Sequence, residues 1–323
     1  MKMRTVFLAA TLAASLSPWQ SAAACSSCGC TLGTDWVSEG YAASSGLRLD
    51  LRYDYIDQDE LRTGTHTTST ADVQQALDAG TAAETQRYTS TRFYSVGLDY
   101  GFNRDWGVNV QVPMLQRDHG TLAEGDPEPT FSSRNGIGDV RIVGRYQGLF
   151  DDRSLGLQLG VKLPTGAIHQ EFSEGPEAGT PLDRGLQIGT GTTDVIAGVY
   201  HFAAFSRDWD HFEQMQLKVP VDEREDFKPG TQLSANLGLR YVGWRSVVPQ
   251  LQLNFKIEGR ESGGEADRPN SGSRELYLSP GFGWQIAKPI AAYGFVQLPV
   301  YRDYDGLQLA PHYSLTAGLR YAF

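Results

Sequence analysis

The sequence predicts an all-β protein, a transmembrane antiparallel β-barrel of about twelve strands with its N- and C-termini on the periplasmic side. Three observations predict this fold. Apolar and polar residues alternate along many segments, short turns alternate with long polar connections, and a long alternating strand ends on Phe323. Strands with one face in lipid and the other in a lumen show these features. The predicted barrel covers residues 45–323.

The N-terminal residues have the pattern of a secretory signal peptide. Lys2 and Arg4 precede an apolar run over 6–16, and three alanines at 22–24 stand directly before Cys25. A charged start, a short apolar region and a small-residue cleavage site define such peptides. An N-terminal membrane anchor is the alternative, but the run has about half of the roughly 20 residues that a spanning helix needs. Residues 1–24 are therefore predicted to be removed.

Composition excludes two classes of protein. Mean hydropathy is −0.35 and charged residues make up 20% of the chain, which excludes a helical membrane protein. Net charge is −10 and there is no cluster of Lys and Arg to neutralise phosphates, so nucleic acid is excluded as a partner. A soluble secreted β protein and an outer-membrane barrel remain.

The C-terminal strand favours the barrel. Between 307 and 323, every odd position except Pro311 and Ala317 is Leu, Tyr or Phe. Alternate side chains of a strand face opposite sides, and this strand far exceeds the usual five or six residues. Its final aromatic residue, Phe323, resembles the assembly signal of bacterial outer-membrane barrels. We therefore expect an outer-membrane location and the barrel-assembly machinery as a partner.

The remaining strands follow in order along the chain. Clear alternation marks residues 47–55, 94–102, 155–163, 233–241, 251–257 and 276–286, and weaker alternation marks 107–117, 137–149, 191–205, 209–220 and 289–301. With the last strand these make twelve, an even number, as single-chain barrels require.

The connections between these strands alternate in length. Short turns are predicted at 103–105, 151–153, 206–208, 245–246 and 288–289, and the long polar stretches all fall at the opposite end. Transmembrane barrels have short periplasmic turns and longer outer loops. In the first long loop, apolar residues at helical spacing predict either a short lid helix around 70–79 or a solvated loop.

Energetics predict which side chains face the lumen. A Lys or Arg that faces lipid at mid-depth costs about 2–4 kcal/mol. Six such residues would exceed the whole stability of an ordinary protein, about 5–15 kcal/mol. The predicted luminal set is Arg48, Asp50, Arg52, Asp54, Asp99, Lys162, Arg240, Lys256, Glu258 and Arg320. Two interpretations stay open: a salt-bridge lattice that braces the wall, or a polar pathway for a solute.

All three cysteines lie in residues 25–44, a segment predicted to stay in the periplasm or to plug the lumen. Cys25, Cys28 and Cys30 are close in sequence. A disulfide with one spare thiol, lipidation of Cys25, and binding of Cu(I) or Zn²⁺ are the three alternatives. We expect no other cofactor.

Histidines give little support for an enzyme. His312 and Ser314 are two residues apart and are predicted to share the luminal face, but no Asp or Asn that would orient the base is apparent. The other histidines form no pair at ligand spacing and are expected to be solvated: His66, His119, His169, His201 and His211. The chain is therefore predicted not to be an enzyme.

Several motifs resemble one family. The runs are NGIGDVRIVGRY (135–146), GVKLPTG (160–166) and GTGTTDVIAGVYH (189–201), with similar runs near the C-terminus. The chain resembles the meta-pathway phenol-degradation outer-membrane transporter family over most of 90–323. The resemblance implies a barrel that transports small molecules.

Two functions follow as hypotheses. The first is an outer-membrane channel for small molecules, aromatic or hydrophobic ones among them, which diffuse passively through a narrow or plugged polar lumen. The alternative is a structural or metal- or redox-linked barrel whose cysteine segment binds a soft metal or a periplasmic partner. In both cases outer-membrane lipid and lipopolysaccharide are expected to surround the wall. The acidic loops are expected to be solvated or to be bridged to lipopolysaccharide by divalent cations.

Overall fold

The computed structural model describes residues 45–79, 84–123, 125–244 and 246–323. The cysteine segment and the predicted signal peptide lie outside these ranges. Within them, one α-helix, α1, spans Thr70–Asp78. The strands are β1 (Gly46–Gly64), β2 (His66–Thr67), β3 (Glu84–Gly101), β4 (Trp106–Ala123), β5 (Thr130–Ile137), β6 (Val140–Tyr146), β7 (Leu155–Leu163), β8 (Asp194–Ala204), β9 (Trp209–Pro220), β10 (Gln232–Tyr241), β11 (Val247–Glu258), β12 (Ser273–Ala287) and β13 (Ile290–Ala322). No helix in the described ranges has the length and apolarity needed to cross a membrane.

Eleven of the strands form a closed antiparallel barrel. Each strand of the ring pairs with the next along the chain, and β13 pairs back with β1. The strands β2 and β5 lie outside the ring. Residues 106–111 of β4 pair with β6, and its residues 114–121 pair with β5. A closed antiparallel barrel is therefore the observed fold.

The count is eleven strands rather than the predicted twelve because β13 is continuous over 33 residues. Its residues 290–304 pair with β12 and its residues 304–322 pair with β1, in both cases antiparallel. Since β12 and β1 run in opposite directions, the chain reverses inside β13. Gly306, with a φ of 73°, lies at this reversal. Left-handed backbone of this kind favours glycine.

The two faces of the wall differ in polarity as the alternation predicts. Leu98 is 46% exposed on the outer face, and the next residue, Asp99, is 4% exposed inside the barrel. The outer face carries exposed Leu, Val, Ile, Met, Phe, Tyr and Trp side chains on nearly every strand of the ring. The buried residues inside are largely polar or charged. This arrangement suits a wall that lies in lipid.

The connections also follow the prediction. Short connections at 102–105, 205–208 and 288–289 lie at one end of the barrel, and the long loops lie at the other. In the first long loop the helix α1 is confirmed. It begins with a capping box, in which the Ser69 hydroxyl accepts from the Asp72 amide at 3.2 Å and the Asp72 carboxylate accepts from the Ser69 amide at 2.8 Å.

Candidate solute pathway in the barrel interior

The loop between β7 and β8, residues 164–193, folds into the barrel and is called the plug loop below. Its residue Ile188 forms one buried apolar cluster with Ile56, Phe93 and Leu115. These three partners belong to β1, β3 and β4 and point inward, since Tyr94 and Met114 beside them are exposed. An apolar patch inside a largely polar barrel thus receives the plug loop.

Polar contacts hold the plug loop against the wall. Arg117 of β4 donates to the carbonyl oxygens of Gly185, at 3.2 Å, and Gln187, at 3.0 Å. The Gln187 side chain donates in turn to the Leu182 carbonyl at 2.8 Å. Within the loop, Phe172 and Leu182 pack with Leu186, which is 1% exposed. The loop therefore has a small core of its own.

The three motifs noted in the sequence meet where the plug loop joins the wall. Lys162 lies 3.2 Å from the Asp139 carboxylate and 3.1 Å from the Asp194 carboxylate. Asp139 also accepts from the backbone amides of Gly166 and Thr190, each at 3.0 Å. Opposite charges and donated N–H groups compensate the buried carboxylate. One ion cluster thus connects the Gly-x-Gly-Asp, Lys-Leu-Pro-Thr-Gly and Gly-Thr-Gly-x-Thr-Asp motifs.

A cavity of about 180 Å³ lies between the plug loop and the wall. One part of its lining is apolar and includes Phe93, Pro113, Leu115 and Ile188. The rest is polar and holds five cationic side chains, from Arg117, Arg141, Lys162, Arg184 and Lys218, and three acidic ones, from Asp139, Asp194 and Glu258. The cavity is amphipathic, with an excess of hydrogen-bond donors in its charged part.

A second void, of about 20 Å³, lies nearer the end with short turns. Gln111, Arg141 and Gln216 line both voids. Arg141 donates to the Gln216 side chain at 3.0 Å, which closes the gap between them. Arg141 and Gln216 therefore lie between the two voids, and their hydrogen bond is called the Arg141–Gln216 contact below.

Ion pairs connect the strands between the Arg141–Gln216 contact and the end with short turns. Asp99 of β3 binds both Arg48 and Arg145, from β1 and β6. Asp50 accepts from the Tyr293 hydroxyl at 2.9 Å, and the Arg320 guanidinium lies over the Tyr293 ring at 5.5 Å. These contacts connect neighbouring strands, so they brace the wall as well as occupy the lumen.

The structure pairs the other predicted luminal residues as well. Arg52 lies 2.8 Å from Asp54, Arg240 lies 2.5 Å from Asp210, and Lys256 contacts Glu258 at 3.2 Å and Glu275 at 2.9 Å. The members that reach a void are Lys162 and Glu258 in the larger one and Asp50 and Arg52 in the smaller one. Some of the predicted luminal residues thus line a void, and the others only form ion pairs that brace the wall.

Sequence reasoning missed the plug loop and several charged residues that line the cavity. Arg117, Arg141, Arg184, Asp194 and Lys218 were not in the predicted luminal set. One signal was present, because Ile56, Phe93 and Leu115 are apolar residues at positions where their strands otherwise place polar side chains. Such exceptions indicate that something apolar packs inside the barrel.

Several expectations about histidines are wrong. His119 is fully buried rather than solvated, and its Nδ1 atom lies 2.9 Å from the Thr89 hydroxyl. His201 and His211, expected to form no pair, both contact the carboxylate of Glu213. His312 also differs from its prediction.

His312 and Ser314 do not share a face. The pairing register of β1 with β13 skips His312, which marks a β-bulge. His312 is exposed and lies 2.6 Å from Asp59, whereas Ser314 is buried inside the barrel. The expected absence of an acidic neighbour was therefore also wrong. Beyond a β-bulge, each residue points to the opposite face from the one that simple alternation predicts. The alternation of residue types in the sequence does not show where a bulge occurs.

Comparison with known proteins finds likeness in structure but not in sequence. No family model and no curated protein matches the chain. The crystal structure of the COG4313 outer membrane channel from Pseudomonas putida F1 is similar with a TM-score of 0.63 at 12% identity, over 87% of this chain and 97% of that one. The chain therefore has the fold of an outer-membrane channel.

Two further solved structures are more distant. The CymD monoaromatic hydrocarbon channel has a TM-score of 0.47 at 10% identity, over 88% of this chain and 91% of that one. The Pseudomonas putida toluene transporter TodX has a TM-score of 0.45 at 9% identity, over 87% and 90%.

Proposed function

We propose that the protein is an outer-membrane channel that conducts small molecules through the barrel interior by passive diffusion. The observation that carries the proposal is the amphipathic cavity inside a closed barrel whose outer face is apolar. The fold shared with an outer-membrane channel supports it.

The outer face supports the membrane location. Large apolar side chains such as Leu159, 68% exposed, and Leu319, 49% exposed, lie on opposite parts of the ring. Soluble monomers rarely expose apolar patches of more than a few hundred Å², and lipid would cover this surface. Barrels of this kind place short turns in the periplasm. The proposal therefore includes periplasmic termini and export by the signal peptide at 1–24.

The size and lining of the cavity favour a small aromatic solute with a polar substituent. An apolar cavity of about 150 Å³ is large enough for benzene, and this one has about 180 Å³. A ring would pack against Phe93, Leu115 and Ile188. A hydroxyl or carboxylate would accept from Arg117 or Arg141, since guanidinium groups only donate.

We infer that the plug loop and the Arg141–Gln216 contact obstruct passage in the described conformation. The plug loop occupies the barrel above the Arg141–Gln216 contact, and ion pairs occupy the space below it. Conduction therefore requires both the plug loop and Arg141 to move. Of these two obstacles, Arg141 is the one that a single substitution can remove.

Liposome swelling tests the function. Vesicles that carry the folded full chain are diluted into 4-hydroxybenzoate, glucose or sucrose, and the variant Arg141→Ala is compared with wild type. We expect 4-hydroxybenzoate to enter faster than sucrose, and Arg141→Ala to raise the rate. The matched control is Arg274→Ala, because Arg274 forms an exposed ion pair with Asp303 at 3.2 Å. If neither wild type nor Arg141→Ala conducts any of the solutes, the proposal is wrong.

The cysteine segment remains a prediction. Residues 25–44 lie outside the described residues, and soft-metal binding by Cys25, Cys28 and Cys30 is supported by their spacing alone. Deletion of 25–44 separates the two functions. Unchanged permeation would assign conduction to the barrel by itself.

A further inference from the structure

A histidine–glutamate–histidine cluster lies on the β8–β9 hairpin. The Nδ1 atom of His201 is 2.8 Å from one oxygen of Glu213, and the Nδ1 atom of His211 is 2.6 Å from the other. The two imidazole centroids are 5.7 Å apart. One ligand atom from each of the three side chains lies within 4.8 Å of the others.

The cluster is on the outer face of the barrel, near the end with short turns. His201 pairs with Glu213 across the hairpin, and His211 lies two residues closer to the turn. Their neighbours Tyr200 and Phe212 are buried inside, so the cluster points outward. The side chains of His201, His211 and Glu213 are 39%, 27% and 42% exposed.

The surroundings make this cluster unusual. The Phe205 ring lies 5.9 Å from the His211 ring, and Trp209 is exposed on the same strand as His211. Aromatic residues of this kind form the girdle of a barrel at the membrane interface. A carboxylate there is costly unless a cation or donors compensate it.

We propose that His201, His211 and Glu213 bind one divalent cation of borderline softness, Zn²⁺ first among them. Two imidazole nitrogens and a carboxylate oxygen are a ligand set that zinc sites use, with a fourth position left for water. The exposed side of the cluster leaves room for that position. Hard cations such as Mg²⁺ and Ca²⁺ prefer oxygen ligands alone and are disfavoured here.

Binding would replace the hydrogen bonds of the metal-free cluster. In the described arrangement Glu213 accepts from both imidazoles, whereas a bound ion needs a lone pair from each ring. Rotations of the three side chains would have to bring the ligand atoms to the roughly 2.0–2.2 Å that Zn²⁺ requires. The ion would then cross-link β8 and β9 close to their turn.

Calorimetric titration of the folded full chain in detergent micelles tests the site. Cys25, Cys28 and Cys30 are first replaced by Ser, so that thiols do not contribute. We expect one equivalent of Zn²⁺ to bind, and His201→Ala or His211→Ala to abolish binding. The matched control is His169→Ala, because His169 forms a pair with Glu225 at 2.9 Å but has a single imidazole. This control should bind Zn²⁺ as the parent does.

A second measurement covers variants that fold poorly. Glu213→Gln keeps the shape of the side chain, and circular dichroism reports whether the barrel is formed. In the parent, Zn²⁺ should raise the melting temperature and Mg²⁺ should not, because an ion that binds only the folded state stabilises it. The rise should be smaller in Glu213→Gln. The inference is overturned if the parent binds no Zn²⁺, or if the His201→Ala and His211→Ala variants still bind one equivalent.

Discussion

Gly166 packs against Gly189 so closely that a Cβ atom on Gly189 would lie 2.5 Å from the carbonyl carbon of Gly166. A Cβ atom on Gly166 would be almost as close to Gly189, at 2.6 Å from its Cα atom. The two residues lie near the two ends of the plug loop, so this contact forms its neck. The Asp139 carboxylate binds beside it, at the amides of Gly166 and Thr190.

We therefore predict that Gly189→Ala loosens the neck of the plug loop. The added methyl group overlaps backbone, which cannot rotate away as a side chain would, and overpacking of this kind costs about 1–3 kcal/mol. Hydrogen exchange of residues 164–193 should become faster. Gly136→Ala is the control, because its nearest contact would be an ordinary 3.5 Å from Ile188. Equal effects of the two variants would contradict the prediction.

Lys162→Met should destabilise the barrel strongly. It leaves the buried carboxylates of Asp139 and Asp194 without their shared cation, and breaking a buried pair in this way costs about 3–5 kcal/mol. The midpoint of urea unfolding measures the loss. Adding Asp139→Asn and Asp194→Asn should restore part of the stability, since the unpaired charges are then removed. Lys288→Met, in an exposed short turn, should change stability by less than about 0.5 kcal/mol.

Ile188→Ala should release the plug loop from the wall without unfolding the barrel. It removes the apolar contact with Phe93 and Leu115, and truncating a buried Ile typically costs about 2–5 kcal/mol. Permeation in the swelling assay should rise while the melting temperature of the strands changes little. Val221→Ala, at a residue 56% exposed, should alter neither quantity. A large drop in melting temperature with no gain in permeation would show that the loop is part of the scaffold.

Glu261 should make the loop over 259–272 sensitive to pH. Burial raises the pKa of this carboxyl well above its usual value, and the nearby acidic groups of Glu258, Asp267 and Asp183 add to the effect, while Arg184 opposes it. Since the folded state holds the proton more tightly than the unfolded state, folding of the loop is favoured at low pH. That advantage is lost as pH rises from about 4.5 through the raised pKa.

The variant Glu261→Gln isolates this effect. At pH 8 the glutamine should protect the loop from hydrogen exchange better than the wild-type residue, because it carries no buried charge. At pH 4 the two proteins should differ little, once intrinsic exchange rates are corrected for pH. Greater protection of the wild type at pH 8 would mean that the charge of Glu261 is stabilised in the folded loop.

The fold was predictable because its signal is local. The alternation that places Leu98 outside and Asp99 inside depends on the strand geometry of two adjacent residues. The cost of a cation in lipid then assigns Arg48 and Arg52 to the interior without knowledge of their partners. The alternation of short and long connections needed no contact information either.

The candidate site was predictable only in part. Lys162 was identified by its inward position, but its partners Asp139 and Asp194 lie on other segments and meet it through strand pairing. The cluster of His201, His211 and Glu213 likewise depends on the register of a hairpin. His312 was placed on the wrong face because a bulge in β13 interrupts the alternation.

The amino-acid sequence by itself determined that the chain forms strands with one apolar and one ionic face, because side chains alternate along any strand whatever its neighbours are. Only the tertiary structure decided that residues 164–193 fold into the barrel and which carboxylate pairs with which cation. Those outcomes depend on the register and curvature of the closed ring, which bring together residues far apart in the chain.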